Sequence, residues 1–242
     1  MTKTIDIVLP AHNEGGSIGH TLSEFHEIVS KQGYCVRFVV CEDGSTDNTV
    51  AVIQETAKTI PVKLISDSVR KGYSRAVVDG FKATDSDLIG FIDSDGQCNP
   101  ADFDRLYREM QSSGVDLIAG YRNPRKDHWI RKLMSFAFGV VYRCFFNVRL
   151  KDPSCPFLIV KKEALAKLLT GNPGILRQGF WWEFQARAVA WGLKVREIPV
   201  DHRVRTAGQT QVYKPAKVPG IAWEHLNGLR TLKRELKQLT AK

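Results

Sequence analysis

Asp93 and Asp95 stand one residue apart at the end of the apolar run Leu88 to Ile92. Side chains at i and i+2 of an extended segment share a face, so a strand that delivers Asp93 and turns at Ser94 aims both acids at one point. Two anions held this close ask for a hard divalent cation. Mg2+ or Mn2+ takes oxygen ligands and binds through one or two carboxylates plus substrate phosphates. An isolated Asp-x-Asp also suits a solvated turn at a strand end, so the pair needs support from the rest of the chain. Some comes directly downstream, where Asn99 can cap a helix that begins at Pro100 and carries Asp102 in its first turn.

The elements that would position this pair alternate. Ile5 to Leu9 reads as a buried strand, followed by Pro10-Ala11-His12-Asn13-Glu14 and a helix that Ser17 can cap, with Ile18, Leu22, Phe25 and Val29 on one face and Gly33 ending it. Tyr34 to Cys41 is a second strand, ending at Glu42 and Asp43 before a helix to about Lys58. Val62 to Ser66, a glycine turn at Lys71-Gly72, the helix Tyr73 to Ala83, the strand Leu88 to Ile92, a helix over 100–113 and the strand Val115 to Gly120 complete the series. Strands alternating with helices predict an α/β fold, a mainly parallel central sheet flanked by helices in a single domain. Ligands of such sheets sit beyond the carboxyl ends of the strands. Asn13-Glu14, Glu42-Asp43 and Asp93-x-Asp95 all fall there, and three acidic loops on one rim point to a site for a nucleotide and a metal.

The 242 residues, 43% of them hydrophobic, suffice for a real core. A net charge of +9 favours an anionic partner, whether nucleic acid, a phospholipid surface or a phosphorylated small molecule. The basic residues are scattered rather than gathered on one helix, and no RNA-type aromatic motif appears, which speaks against nucleic acid. The five cysteines, Cys35, Cys41, Cys98, Cys144 and Cys155, form no Cys-x-x-Cys pair, so the expectation is reduced, mostly buried thiols without zinc. The amino terminus reads as a short strand rather than a signal peptide, which predicts a cytoplasmic protein, at most peripheral on the cytoplasmic face of a membrane.

The strings Ile-Val-Leu-Pro-Ala-His-Asn-Glu, Glu-Asp-Gly-Ser-Thr-Asp-Asn-Thr, Lys-Gly-x-x-x-Ala-x-x-x-Gly-Phe, Asp-Ser-Asp-Gly-Gln and Ala-Gly-Tyr-Arg resemble, in order and spacing, the family 2 inverting glycosyltransferases of the Rossmann-like GT-A fold. The likeness runs over about residues 4–218 and is nearest to polyprenyl-phosphate sugar transferases of the dolichyl-phosphate mannose synthase type. It implies a GT-A domain over 1–218; residues 219–242 then read as an amphipathic basic helix packed on or appended to that domain. It also implies that Pro10, Ala11, Asn13 and Glu14 line a nucleotide pocket, that Asp43 beside Glu42 holds the base or ribose, and that Lys71 approaches the donor. Asp93, Asp95 and Gln97 would form the donor and metal site, with Asp95 and Gln97 on Mg2+ or Mn2+. Arg122, Arg131 and Ser135 would clasp an acceptor phosphate, and Arg203 and Arg205 would close over the diphosphate, since the planar guanidinium pairs bidentately with phosphate. In the family Asp is more frequent at the position of Glu42.

The reaction so implied transfers a sugar from a GDP- or UDP-sugar to a polyprenyl phosphate with inversion. A phosphate acceptor is ionised near pH 7 and needs no general base; a hydroxyl acceptor does. Glu183, flanked by Trp181 and Trp182, is the candidate base, and equally suits a structural acid at a helix start, while the two tryptophans could stack on sugar or isoprenoid. The aromatic stretch from His128 to Asn147 suits a membrane interface or a core helix, and its longest charge-free run, Leu133 to Tyr142, falls well short of the about 20 residues that span a bilayer. In the tail, Leu229, Leu232, Leu236 and Leu239 make a stripe that could dock on the sheet, pair with another subunit or lie on lipid.

Overall fold

The computed structural model describes residues 4–124, 129–176, 179–204 and 218–241; for Trp129–Arg131 and Val218–Ala222 only the backbone is described. Seven strands form one sheet: β1 (Ile5–Ala11), β2 (Val36–Asp43), β3 (Val62–Asp67), β4 (Leu88–Phe91), β5 (Leu117–Arg122), β6 (Leu158–Lys161) and β7 (Val195–Val200). Their order is β3-β2-β1-β4-β6-β5-β7. All neighbours are parallel except β6, which runs antiparallel between β4 and β5.

Both faces are covered, which is why β1 is buried at every residue rather than alternating with solvent. Ile5, Ile7 and Leu9 face one core with α1 (Ile18–Lys31), α2 (Thr49–Thr56) and α4 (Phe103–Ser113). Val8 faces the other, with α3 (Tyr73–Lys82), α6 (Lys162–Leu168) and α7 (Phe180–Ala190). The stripe expected on α1 is buried as Ile18, Leu22, Phe25 and Val29. A third cluster joins α7 to α5 (Trp129–Phe145) and α8 (Val218–Thr240) through Tyr142, Ala186, Leu229, Leu232 and Leu236. The leucine stripe of the tail is therefore spent inside the chain, on α5 and α7 rather than on the sheet or on lipid. The segment from His128 to Asn147 divides: Tyr142 is buried, whereas Leu133, Phe136, Val140 and Val141 are exposed.

Local capping departs from the sequence reading in two places. Ser17 precedes α1 but makes no side-chain cap; its hydroxyl donates to the Glu14 carboxylate at 2.7 Å. The helix after Asn99 opens as a single 3-10 turn, Pro100–Asp102, before α4, although Asn99 does accept from the Ala101 N–H as a cap should. Among the thiols, Cys41 and Cys155 are buried, Cys98 is half-buried, and Cys35 and Cys144 are exposed, so fewer are buried than expected; all are free.

Candidate active site

The chain leaves β1 for β2 and β3 on one side and returns to β4 on the other, so the direction of winding reverses between β1 and β4. In open α/β sheets the ligand crevice lies beyond the carboxyl ends of the strands at such a point. Here those ends carry Asn13 and Glu14 after β1 and Asp93 and Asp95 after β4, with Glu42 and Asp43 closing β2 alongside. The topology thus brings the three expected acidic loops to one edge.

At the β1 end, Asn13 takes a left-handed backbone (φ 55°), a conformation that asparagine tolerates better than most residues. Its carbonyl oxygen accepts from the Thr46 N–H at 2.8 Å and its own N–H donates to Ser45 Oγ at 3.0 Å, while the Glu14 N–H donates to Thr49 Oγ1 at 2.9 Å. These bonds lace the loops after β1 and β2 together. Pro10 and Ala11 are buried at the strand end beneath them. Glu42 accepts from the Ser45 N–H and, at 2.7 Å, from Ser66 Oγ on β3. Asp43 accepts from the backbone N–H groups of Lys71 (2.6 Å) and Gly72 (2.8 Å). Both carboxylates therefore shape the rim in this arrangement, and Asp43, expected to hold base or ribose, also holds the glycine turn at 71–72.

At the β4 end, Asp95 Oδ1 accepts from the Gln97 N–H at 3.1 Å, closing a tight turn through Gly96 (φ 74°). Gln97 also pairs with the segment that follows β7: its Nε2 donates to the Arg203 carbonyl (3.2 Å) and its carbonyl accepts from the Arg203 N–H (3.0 Å). Asp93 accepts from the Tyr73 hydroxyl at 2.8 Å, and that hydroxyl in turn accepts from Trp181 Nε1 at 2.9 Å. Burial, with Asp93 close by, pushes the Tyr73 hydroxyl well above its ordinary range. Among the described residues no group of three or more His, Cys, Asp or Glu is arranged to hold an ion alone. Asp93, Asp95 and Gln97 offer hard oxygen donors only, the partial set of a Mg2+ or Mn2+ that completes its shell with phosphate and water.

Other expected residues lie elsewhere. Lys71 Nζ pairs with Asp67 (2.7 Å) and Asp79 (3.1 Å), leaving its neighbour Tyr73 to reach the Asp-x-Asp loop. Arg122 is clamped bidentately by Asp152 (2.7 and 2.9 Å) and by Ser154 (2.6 Å), with only 7% of its side chain exposed. An acceptor phosphate could take it only by displacing Asp152. The Arg203 guanidinium turns away to Glu24 and Asn99, both at 2.7 Å. Glu183 is 1% exposed; its oxygens accept from the N–H groups of Gly174 and Leu176 and from Arg187. In this arrangement its oxygens are engaged as those of a structural acid at a helix start would be. Trp181 is buried, and Trp182, half-buried, packs on Phe138 and Tyr142. Ser135 lies half-buried on α5; the side chain of Arg131, and Arg205, lie outside the described residues. Tyr73, whose hydroxyl bonds Asp93, is a residue that sequence reasoning missed, although it immediately follows the Lys71-Gly72 pair.

Residues 6–169 match glycosyl transferase family 2. An uncharacterized glycosyltransferase of Mycobacterium tuberculosis is 28% identical over 213 residues, covering 86% of this chain and 89% of the relative. A dolichol-phosphate mannosyltransferase of Pyrococcus furiosus is also 28% identical, over 86% of this chain but 59% of its own length. Glucosyl-3-phosphoglycerate synthase from Mycobacterium tuberculosis, solved with Mn2+, UDP and glucosyl-3-phosphoglycerate, superimposes over 95% of this chain and 80% of its own with a TM-score of 0.70 at 19% identity.

Proposed function

The chain belongs to glycosyl transferase family 2 and is a glycosyltransferase of GT-A fold, and on that premise we propose that it moves a sugar from a nucleoside-diphosphate sugar to a polyprenyl phosphate with inversion. One observation carries the donor half: Asn13-Glu14, Glu42-Asp43 and Asp93-Asp95 meet at the rim beside the β1/β4 reversal. A divalent ion held by Asp95 and Gln97 would supply positive charge against the departing diphosphate. Asp93 would face the donor sugar, and Asn13 and Glu14 the nucleotide. The solved neighbour's Mn2+ and UDP support both the ion and a UDP-sugar as donor, beside the GDP-sugar alternative.

The acceptor half rests on the named Pyrococcus relative and on chemistry. A lipid phosphate attacks without a general base, which suits a site whose one candidate base, Glu183, is locked in the core. Arg131 and Ser135, four residues apart on α5 and so on one face, would receive the phosphate. Arg122, anchored by Asp152, would frame that pocket rather than grasp its contents, and Arg203 and Arg205 would follow from the segment after β7.

The exposed side of α5 gives such an acceptor a place to arrive. Leu133 (58% exposed), Phe136 (66%) and Val140 (45%) follow one another at helical spacing, and Trp223 on α8 is 65% exposed. The two helices touch where the Phe138 and His225 rings lie 4.8 Å apart, and exposed Lys132, Arg143, Arg230 and Arg234 border the apolar side chains. An interfacial helix pair of this composition sits on an anionic lipid surface without crossing it; among the described residues no helix is long and apolar enough to cross.

Thermal-shift titration with UDP, GDP and CDP in Mn2+ or Mg2+ tests the donor site, because a ligand that binds only the folded state raises its melting temperature. The expected result is a metal-dependent rise with one nucleotide that Asp95→Ala abolishes. Transfer of labelled sugar to undecaprenyl or dolichyl phosphate tests the acceptor, and label that reaches only a hydroxyl acceptor would replace this reading.

A further inference from the structure

Tyr73 occupies a place that three independent constraints fix. Its backbone begins α3 directly after Gly72, whose φ of 94° and ψ of 155° belong to glycine. A Cβ at Gly72 would meet nothing within 4 Å, so the requirement there is conformational and not steric. The N–H of that glycine and of Lys71 are both held by the Asp43 carboxylate at the end of β2. The far end of the side chain is fixed as well. Trp181, buried against Phe91 with ring centroids 4.4 Å apart, donates its indole N–H to the phenol oxygen.

An indole nitrogen can only donate, so the phenol oxygen is the acceptor in that pair and its single hydrogen must go elsewhere. It goes to Asp93 Oδ1 at 2.8 Å. The direction of both bonds is thus set by Trp181, and a chain of two aligned hydrogen bonds polarises each member toward the carboxylate. Asp93 itself lies beyond the end of β4, on the loop that carries Asp95. A phenol carries its proton at neutral pH and so is available as the donor to the carboxylate.

We infer that Tyr73 is a positioning residue for glycosyl transfer: oriented by Trp181 and seated by the turn that Asp43 holds, it fixes the Asp93 carboxylate for the donor and its metal. The inference rests on the donor-site reading of Asp93 and Asp95. It adds a physical link between the nucleotide side of the rim, Asp43, and the sugar and metal side, Asp93. Lys71, whose ammonium is occupied by Asp67 and Asp79, has no part in that link. Because 38% of Tyr73 remains exposed, a bound donor can lie directly against it.

Tyr73→Phe removes the hydroxyl and keeps the ring. Sugar transfer and metal-dependent nucleotide binding are to be measured on the same preparations of wild type and variant. A hydrogen bond to an ionised group stabilises by enough to predict a fall of roughly 10- to 100-fold in kcat/KM for the donor. The metal concentration giving half-maximal activity should rise while KM for the acceptor holds. The melting temperature without nucleotide should fall by no more than a few degrees, whereas a merely structural tyrosine would lower that temperature and leave the metal requirement untouched. Trp181→Phe, which keeps the phenol but removes its orienting donor, should shift the metal requirement in the same direction by less. A Tyr73→Phe protein with wild-type kcat/KM and metal requirement overturns the inference alone. A wild type that responds to no nucleotide with either metal overturns the donor-site reading and this inference with it.

Discussion

Arg187 is a charged side chain almost wholly out of water, and four acceptors surround it. Glu183 lies at 2.8 Å, the carbonyls of Thr170 and Asn172 at 3.0 Å, and Glu235 of α8 at 3.3 Å. Glu183 also holds the N–H groups of Gly174 and Leu176, so one ion pair closes the loop before α7 and ties α8 to it. Removing one partner of a buried pair leaves the other charge uncompensated, at about 3–5 kcal/mol. Glu183→Gln should therefore lower the melting temperature by roughly 6–20 °C, and protein that remains folded should keep turning over. Loss of turnover with an unchanged melting temperature would restore Glu183 as a base. The sequence showed the acid and its aromatic neighbours but not this burial, because the groups that claim its oxygens are backbone amides and an arginine four residues on, which any solvated helix start could also carry. The acids Asp93 and Asp95 were legible for the opposite reason: their position depends on where a strand ends, which the apolar run Leu88 to Ile92 marks. Asp43 and Arg122 were placed correctly at strand ends, yet their partners, the 71–72 turn and Asp152, come from distant segments that no local spacing announces.

Helix α3 has to lie close to the sheet for Tyr73 to reach Asp93, and Gly80 makes that approach possible. A Cβ there would stand 2.5 Å from Cys41 Sγ on β2 and 2.6 Å from Val8 Cγ1 on β1, with Ala76, one turn earlier, buried on the same side. Gly80→Ala should cost about 1–3 kcal/mol by overpacking. It should also weaken the nucleotide-dependent thermal shift, because the amino-terminal turn of α3 is lifted from the rim. Combining it with Val8→Ala should recover part of both losses, and a double-mutant cycle that shows strict additivity would mean the two side chains do not share that space. The Lys-Gly-x-x-x-Ala-x-x-x-Gly-Phe string thus reads in physical terms as a turn, two small residues against the sheet, and Phe81 behind them in the core. Element order and type were legible from alternating periodicity as far as β5, because both sheet faces are covered and helices such as α1, α3 and α4 bury one stripe; β6, α6, α7 and β7 were not, and α7, buried on nearly every side between two clusters, shows no such stripe. The ends slipped by one or two residues wherever a strand ran on into its polar loop, as β2 does through Glu42 and Asp43 and β5 through Tyr121 and Arg122.

At the scale of the whole molecule, +9 net charge and the exposed apolar side of α5 and α8 would act on the proposed lipid surface at different ranges. In the proposed membrane-bound state, charge would draw the protein toward an anionic bilayer over about a Debye length, and the aromatic side chains would then hold it there by burying apolar surface. The leucine stripe of α8 has no share in this, since Leu229, Leu232 and Leu236 are already buried against α5 and α7. Sequence alone could not separate the two apolar faces of the carboxyl-terminal half, because a leucine stripe beside lysines and arginines is equally suited to a core and to a lipid surface. Their burial separates them, and so sets which substitutions matter. Phe136→Ser and Trp223→Ser should each reduce co-sedimentation with phosphatidylglycerol vesicles about 10-fold while leaving the melting temperature nearly unchanged. Raising the salt from low to molar concentration should reduce binding of wild type and both variants alike, since it screens the attraction that all three share. Vesicle binding that survives both substitutions at full strength would move the contact to another face, and the path of a lipid phosphate to Ser135 would have to be redrawn with it.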